Sequence, residues 1–122
     1  MSKHPIVHIE LSAHDREKAG EFFSDLFGWT VRQMPEMNYA SFDTGVEPGG
    51  GFNPVSDDNP AGTVRIYVGT DDIETTLAKV EALGGKVILP KTVIPMTGWF
   101  AFFSDPTGNV IGLYTPMQSA QS

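Results

Sequence analysis

The sequence has no cysteine and few basic residues. Without cysteine, its 122 residues can form no disulfide bond and offer no thiol as a nucleophile or metal ligand. Eight lysine and arginine residues are scattered among fifteen acidic ones, which gives a formal net charge of −7. Nucleic acids and anionic membrane surfaces select basic patches. Neither is therefore an expected partner.

Long apolar runs are also missing from the sequence. No stretch approaches the roughly 20 apolar residues that a transmembrane helix needs. The apolar segment near the N-terminus is interrupted by His8 and Glu10, which makes it a poor signal peptide. With 40% hydrophobic and 19% charged residues, the composition is typical of a globular protein. We expect a soluble, cytoplasmic domain.

The first half begins with a strand pattern followed by a helix pattern. Residues 6–11 alternate between apolar and polar, which predicts a strand covered on one face. Asp15 is suited to the start of a helix that runs to Phe27, and Gly28 to its left-handed end. The apolar residues of this helix predict one buried stripe: Ala19, Phe22, Phe23, Leu26 and Phe27.

Three further segments complete the first half. Residues 29–34 and 39–43 predict two strands, and the glycine-rich residues 45–52 predict a loop running into a short strand. Residues 53–62 contain two prolines, two aspartates and two asparagines. They are the best linker candidate in the chain.

The second half shows the same order of patterns. Residues 63–68 alternate, and Asp71 or Asp72 opens a helix that Gly84 and Gly85 close. The helix is predicted to bury a stripe of Ile73, Leu77, Val80 and Leu83. Three strands are predicted to follow, at residues 86–94, 97–103 and 110–114.

Two local signals in those last strands carry more detail. Pro90 cannot donate a hydrogen bond to a sheet, so it indicates an edge strand or a bulge. Asp105, Pro106 and Gly108 have the residue types of a tight turn, which leads into the last strand. Gly112 lies inside that strand, where glycine is destabilising and usually has a reason to be present.

The two halves are related by an internal repeat. An offset of 57 positions carries Asp15 onto Asp72, and VHIEL at residues 7–11 onto VRIYV at residues 64–68. In the later strands, the offset grows because insertions in connecting loops cost little. Each half is therefore predicted to contain one strand, a helix and three further strands, in that order.

The later part of the repeat fixes the equivalent positions of the final strands. An offset of 61 carries Tyr39 onto Phe100 and Gly51 onto Gly112. The whole chain, residues 1–122, is predicted to be a single domain. Its parts are a first module at about residues 5–53, a linker at about 54–62 and a second module at about 63–116.

The repeated unit resembles the vicinal oxygen chelate superfamily, which contains glyoxalase I, extradiol dioxygenases and bleomycin resistance proteins. The resemblance rests on VHIEL, LFGW, VRIYVGTDDIETTLAKVEALGG and SDPTGNVIGLY, and it is closest to small bacterial glyoxalase-related proteins. It implies an α+β fold in which two tandem βαβββ modules each curl a mixed sheet into half of a barrel around a cavity. It also implies a homodimer.

Enzymes of that superfamily hold a divalent metal with ligands from the first and last strands of each module. The resemblance places these four slots at His8, Gly51, Arg65 and Gly112. Only His8 can ligate a metal, because arginine stays cationic and glycine has no side chain. Glu10 shares a face with His8, but two ligands are fewer than the three protein groups that a catalytic site typically uses. A divalent metal is possible but disfavoured.

This interpretation depends on the register of the glycine-rich strand. Such stretches specify register weakly, and a slip in the first module would replace Gly51 by Asn53 or a neighbour. The register of Gly112 is fixed more firmly by the turn that precedes it.

The candidate site residues all come from predicted strands. The candidates for ligand binding are His8, Glu10, Tyr39, Arg65, Tyr67, Trp99 and Tyr114. His8 and Glu10 are also the candidates for catalysis, although a hydrogen-bonded histidine that lines a cavity is the favoured explanation of His8. Arg65 is expected either to pair with Glu10 or to bind a carboxylate or phosphate of an anionic ligand.

Three functions remain open from the sequence. The favoured one is a protein that binds a small organic molecule without a metal. The alternative is a lyase, isomerase or dioxygenase of the vicinal oxygen chelate type that acts on a small oxygen-bearing substrate. The third is a dimeric structural domain.

Overall fold

The computed structural model describes residues 4–117, which fall into two compact units. Val7–Ile66 form the first unit, here called the first module. The described residues before and after it form the second module. No helix within residues 4–117 is long and apolar enough to span a membrane.

The first module is a helix packed on a four-stranded mixed sheet. Its elements are β1 (Ile6–Ala13), α1 (Arg16–Phe27), β2 (Thr30–Met34), β3 (Tyr39–Asp43) and β4 (Gly49–Pro54). The strand order is β2-β3-β4-β1, with β1 parallel to β4 and the other pairs antiparallel. The glycine-rich segment therefore forms a strand inside the sheet. Its glycines let neighbouring groups approach where side chains would otherwise stand.

The second module repeats this arrangement. Its elements are β5 (Val64–Gly69), which begins in the first unit, α2 (Ile73–Ala82), β6 (Lys86–Ile94), β7 (Gly98–Ser104) and β8 (Val110–Pro116). The strand order is β5-β8-β7-β6, with β5 parallel to β8 and the other pairs antiparallel. The predicted α+β class and the two βαβββ modules are confirmed, and in neither module does the sheet close on itself.

The strand registers confirm both offsets of the predicted repeat. Glu10 lies opposite Gly51 in the first module, and Tyr67 lies opposite Gly112 in the second. In the antiparallel pairs, Ser41 lies opposite Gly51 and Phe102 lies opposite Gly112.

The helix starts agree with the sequence. The Asp15 carboxylate accepts hydrogen bonds from the main-chain N–H groups of Glu17 and Lys18, at 3.0 and 3.1 Å. Asp72 likewise accepts from Thr75 at 3.0 Å. Such caps satisfy N–H groups that have no partner within the helix. Both aspartates thus have the structural role that the sequence indicated.

The end of α1 has the predicted geometry. Gly28 has φ 76°, a left-handed conformation that glycine adopts without steric cost, and its N–H donates to the carbonyl of Ser24.

The buried face of α1 differs from the predicted stripe. Phe23 packs on the buried residues Ala13, Ala40, Phe42 and Phe52, but Phe22, Leu26 and Phe27 are largely exposed. The reason is that α1 approaches the sheet most closely at Gly20. A Cβ atom at this position would lie only 2.9 Å from the Val31 side chain. This contact turns the helix so that the side of Phe22 and Leu26 points away from the sheet.

The second module has a separate core between α2 and its sheet. The buried members are Ile73, Leu77, Ala101 and Leu113. Leu83, the last residue of the predicted stripe, is 71% exposed because the helix ends at Ala82. The predicted stripe was therefore one residue too long.

The edge and turn signals of the second module are confirmed. Strand β6 contains Pro90, lies at the edge of the sheet and has two register shifts against β7. In the turn before β8, the Asp105 carboxylate accepts hydrogen bonds from the main-chain N–H groups of Thr107, Gly108 and Asn109, each at 2.9 Å. Hydrogen bonds from the Asn109 side chain and these main-chain groups lower the pKa of Asp105.

Candidate functional site

Four polar side chains meet on the face of the first-module sheet opposite α1. His8 and Glu10 come from β1, Tyr39 from β3 and Asn53 from β4, and together they form what we call the polar cluster. Side chains alternate between the two faces of a strand, so residues two positions apart share a face. The pairing of β1 with β4 then aligns these faces across the sheet.

Tyr39 is the centre of the polar cluster. Its hydroxyl oxygen lies 2.6 Å from Nε2 of His8, and the hydroxyl donates a 3.0 Å hydrogen bond to Oε2 of Glu10. Asn53 donates from Nδ2 to the other carboxylate oxygen of Glu10 at 3.3 Å. The rings of His8 and Tyr39 are nearly parallel, with centroids 6.3 Å apart. One phenol therefore connects an imidazole to a carboxylate.

The carboxylate of Glu10 is the most deeply buried charged group of the cluster. Glu10 is 8% exposed, and buried carboxylates are tolerated when hydrogen-bond donors surround them. Its Oε2 atom lies 3.9 Å from Nε2 of His8. Burial lowers the pKa of His8 below its usual value of 6.5, because desolvation penalises the imidazolium form.

This pKa shift predicts a pH dependence of stability. The folded state holds a proton on His8 less tightly than the unfolded state, so protonation favours unfolding. The His8 contribution is complete above about pH 6.5 and is lost as the pH falls toward the lower pKa of the folded state. Chemical denaturation across this window should show wild type losing more stability than His8→Gln, which cannot titrate. Parallel curves for the two proteins would contradict the assignment to His8.

The space above Gly51 is filled by Tyr39. A Cβ atom built on Gly51 would overlap the hydroxyl oxygen and the ring of Tyr39. Glycine at this position is therefore required for the phenol to reach His8 and Glu10. The same arrangement excludes a longer side chain at position 51 unless the tyrosine moves.

The second module has a glycine covered by a tyrosine at the equivalent position. A Cβ atom on Gly112 would overlap the ring of Tyr67, which is itself buried. Tyr67 contacts Phe102 with ring centroids 5.9 Å apart, and Phe102 contacts Phe100 at 5.4 Å. This side of the second-module sheet is aromatic, whereas the equivalent side of the first module is polar.

Two other predicted site residues have different surroundings. Trp99 packs with the core between α2 and the sheet, and its role in ligand binding remains a prediction. Strand alternation gives the Tyr67 side of the sheet to Phe100, which lies opposite Tyr114. The Tyr114 hydroxyl donates to the main-chain carbonyl of Thr97 at 3.2 Å, and burial raises the Tyr114 pKa.

Arg65 lies on β5 and is half-buried, with its Nε atom inaccessible to solvent. Its guanidinium group can donate hydrogen bonds but cannot accept them. Its predicted pairing with Glu10, and its alternative role in binding an anion, both remain predictions.

The residues present do not fit the divalent metal that the resemblance implies. Within residues 4–117, no three His, Asp or Glu side chains are close enough to hold a metal ion together. Among the four slots, Nε2 of His8 lies within hydrogen-bond distance of the Tyr39 hydroxyl, and Arg65 is cationic. Tyrosine rings cover the other two slots, Gly51 and Gly112. A site of one imidazole and one carboxylate is short of the ligand number that zinc or a similar ion requires.

Asn53 is the member of the cluster that the sequence reading did not propose as a site residue. From the sequence, Asn53 is only the residue that a register slip would bring to the place of Gly51. The register shows no slip, since Glu10 pairs with Gly51, but Asn53 is two residues further along the same face. That spacing was the available signal, because positions two apart on a strand point the same way.

Two cavities lie away from the polar cluster. One of about 330 Å³ surrounds the start of α1 and is lined by His14, Asp15, Arg16, Asn38 and other residues. The other, of about 280 Å³, lies between α1 and the segment that includes Thr63. Neither includes His8, Glu10 or Tyr39.

Comparison with known proteins agrees with this architecture. Residues 5–45 match the family described as bleomycin resistance protein-like N-terminal. A putative glyoxylase of Mycobacterium bovis is 29% identical over 113 residues, which cover 87% of this chain but 43% of that protein. This chain thus spans less than half the length of the mycobacterial relative. A probable lactoylglutathione lyase of Vibrio cholerae is 29% identical, with 98% and 96% of the two chains covered.

A solved structure shows the same fold. The crystal structure of a hypothetical protein from Bacillus halodurans superposes with a TM-score of 0.76 at 16% identity, covering 99% of this chain and 100% of that chain. At this identity, the likeness concerns the fold alone.

Proposed function

We propose that this chain is a member of the vicinal oxygen chelate superfamily and that it binds a small organic molecule at the polar cluster without using a divalent metal. The observation that carries the proposal is the position of Tyr39, which lies across Gly51 and connects His8 to Glu10. In this arrangement, the imidazole and the carboxylate make hydrogen bonds to a phenol. Such groups can orient a ligand without a metal ion.

The polar cluster offers both hydrogen-bond donors and acceptors to a ligand. His8 is more accessible than Glu10, with 32% of its side chain exposed against 10%. Glu10, Tyr39 and Asn53 then act behind His8 and hold it in place. An anionic ligand would require a cationic partner, for which Arg65 is the candidate on β5. A homodimer in the cytoplasm remains our expectation for the assembled protein.

Metal titration tests the first part of this proposal. Calorimetry of the purified protein with Ni²⁺, Zn²⁺, Mn²⁺ and Fe²⁺ is expected to show no stoichiometric tight binding, because too few ligands converge. His8→Ala is the matched control. Tight binding of one ion per chain that disappears in His8→Ala would overturn the proposal that the protein binds its ligand without a metal.

A ligand screen tests the second part. Carboxylates, phosphates and hydroxyl-bearing aromatic compounds are expected to include one that raises the melting temperature. A ligand at about 100 times its Kd stabilises the folded state by about 2.7 kcal/mol. This stabilisation should be lost in His8→Ala and retained in Lys18→Ala, which removes an exposed charge on α1. Equal loss in both variants would contradict binding at the polar cluster.

The second candidate function is an enzyme, a lyase, isomerase or dioxygenase acting on a small oxygen-bearing substrate. It is favoured by the similarity to the probable lactoylglutathione lyase along almost the full length of both chains. A general base requires an imidazole or carboxylate within reach of the substrate proton, and His8 is such a group. Lyase activity that falls at least 100-fold in His8→Gln, with the fold intact, would favour this candidate over simple binding.

A further inference from the structure

The main chain of Tyr39 is bonded to the start of α1. Nη1 of Arg16 donates a hydrogen bond to the carbonyl oxygen of Tyr39 at 3.1 Å. Tyr39 is the first residue of β3 and follows Asn38, which has a left-handed φ of 53°. The ends of a strand open more readily than its interior. The bond from Arg16 thus restrains β3 at the residue where opening would begin.

Arg16 is well placed to act as such a restraint. It is half-buried at the first position of α1, directly after the cap Asp15. Its own carbonyl oxygen accepts a 3.0 Å hydrogen bond from Nε2 of Gln33 on β2. One turn later, Gly20 brings the helix against Val31 of the same strand. The helix start is therefore fixed on β2, and through the Arg16 side chain it holds β3 as well.

Tyr39 carries this restraint to the polar cluster. Its ring lies across Gly51, and its hydroxyl contacts His8 and Glu10. The hydroxyl is at the far end of the side chain, so a small rotation of the main chain at Tyr39 displaces it by a larger distance. Hydrogen bonds weaken steeply when their geometry is distorted. The contacts at 2.6 and 3.0 Å therefore depend on where the Tyr39 main chain is held.

We propose that Arg16 is a positioning residue of the polar cluster. It holds the Tyr39 carbonyl so that the Tyr39 hydroxyl stays in contact with His8 and Glu10. The inference rests on the binding function proposed above, because it concerns the same cluster. Arg16 has this effect without touching the ligand. Its guanidinium suits the role, since it carries several N–H donors on a rigid plane and keeps its charge.

NMR of the full chain without a ligand tests this positioning. In protein labelled with nitrogen-15 at histidine, the ring resonances of His8 report its contact with the Tyr39 hydroxyl. Tyr39→Phe keeps the ring over Gly51 but lacks the hydroxyl, so it defines the shifts that follow when this contact is lost. Arg16→Met keeps a long side chain without the guanidinium and is expected to move the His8 resonances part of the way toward those shifts. Unaltered His8 shifts in folded Arg16→Met would overturn the proposal.

A double variant shows whether Arg16 acts through Tyr39. A Tyr39→Phe background has no hydroxyl to position, so Arg16→Met should change the His8 shifts less there than in the wild type. Equal changes in the two backgrounds would mean that Arg16 affects His8 independently of the hydroxyl. That result would also overturn the proposal.

Two further variants distinguish the hydrogen bond from the charge. Lys18→Met makes the matched substitution at an exposed position of the same helix and should leave the His8 shifts unchanged. Arg16→Lys keeps a charged donor and should return the His8 shifts from the Arg16→Met values toward those of the wild type. An effect of Lys18→Met as large as that of Arg16→Met, or no recovery in Arg16→Lys, would contradict the role assigned to the hydrogen bond.

Because the readout needs no ligand, it is independent of the proposed binding function. If Arg16→Met moves the His8 resonances as expected and the ligand screen finds no stabilising compound, the positioning role stands and the binding function fails. If a ligand binds at the cluster but Arg16→Met leaves His8 unaltered, the binding function stands and the positioning role is wrong.

Discussion

Phe52→Ala is expected to lower the free energy of unfolding by about 3–5 kcal/mol. Phe52 is 1% exposed and lies in the middle of the first-module core. Its ring stacks on Phe23 of α1 with centroids 5.6 Å apart and also contacts Phe42 at 5.3 Å. Truncation of Phe52 would leave a cavity between the helix and the sheet. The glycine-rich strand β4 has few side chains that could fill this cavity.

The exposed Phe22 provides the control for this prediction. It is 60% exposed on the same helix that Phe52 packs against, so Phe22→Ala should change the unfolding free energy by no more than about 0.5 kcal/mol. Urea denaturation of both variants, followed by circular dichroism, makes the comparison. Similar losses in the two would mean that α1 buries the side of Phe22 as well as that of Phe23.

This contrast shows where the sequence was sufficient for the fold and where it was not. The repeat, the order of helix and strands along each half and the helix caps depend on local chemistry and on alternation, and all were predictable. The side of α1 that packs on the sheet was not predictable, because the apolar residues of the helix form one broad stripe: Phe22, Phe23, Leu26 and Phe27. The decisive contact is Gly20 against Val31, and it joins elements that no local pattern relates.

The candidate site was likewise predictable from the sequence only in part. His8, Glu10 and Tyr39 were predictable because strand alternation assigns faces. The equivalence of Gly51 and Gly112 followed from the repeat. What the sequence could not supply was the reason for the two glycines, since a missing side chain does not reveal what fills the space. In each module a tyrosine ring fills it, from β3 in the first and from β5 in the second.

Gly51→Ala is the second substitution with a large expected effect, a loss of about 1–3 kcal/mol in unfolding free energy. The new methyl group would overlap Tyr39, whose ring must then swing away from His8 and Glu10. The buried Glu10 carboxylate would lose one of its donors, and the loss of a hydrogen bond to a charged group is itself costly. Denaturant unfolding measures the loss, and the His8 NMR shifts report the displacement of Tyr39.

A double-mutant cycle distinguishes this mechanism from general strain in the strand. If Tyr39 is the group that Gly51→Ala displaces, the alanine costs less once Tyr39→Ala has emptied the space, with a coupling energy of about 0.5–3 kcal/mol. Gly20→Ala is the matched control, because its methyl group would meet Val31 on the other face and should add independently to Tyr39→Ala. Additive behaviour of Gly51→Ala would mean that its cost lies in the backbone of β4. Coupling would show that this glycine is retained for the tyrosine that covers it.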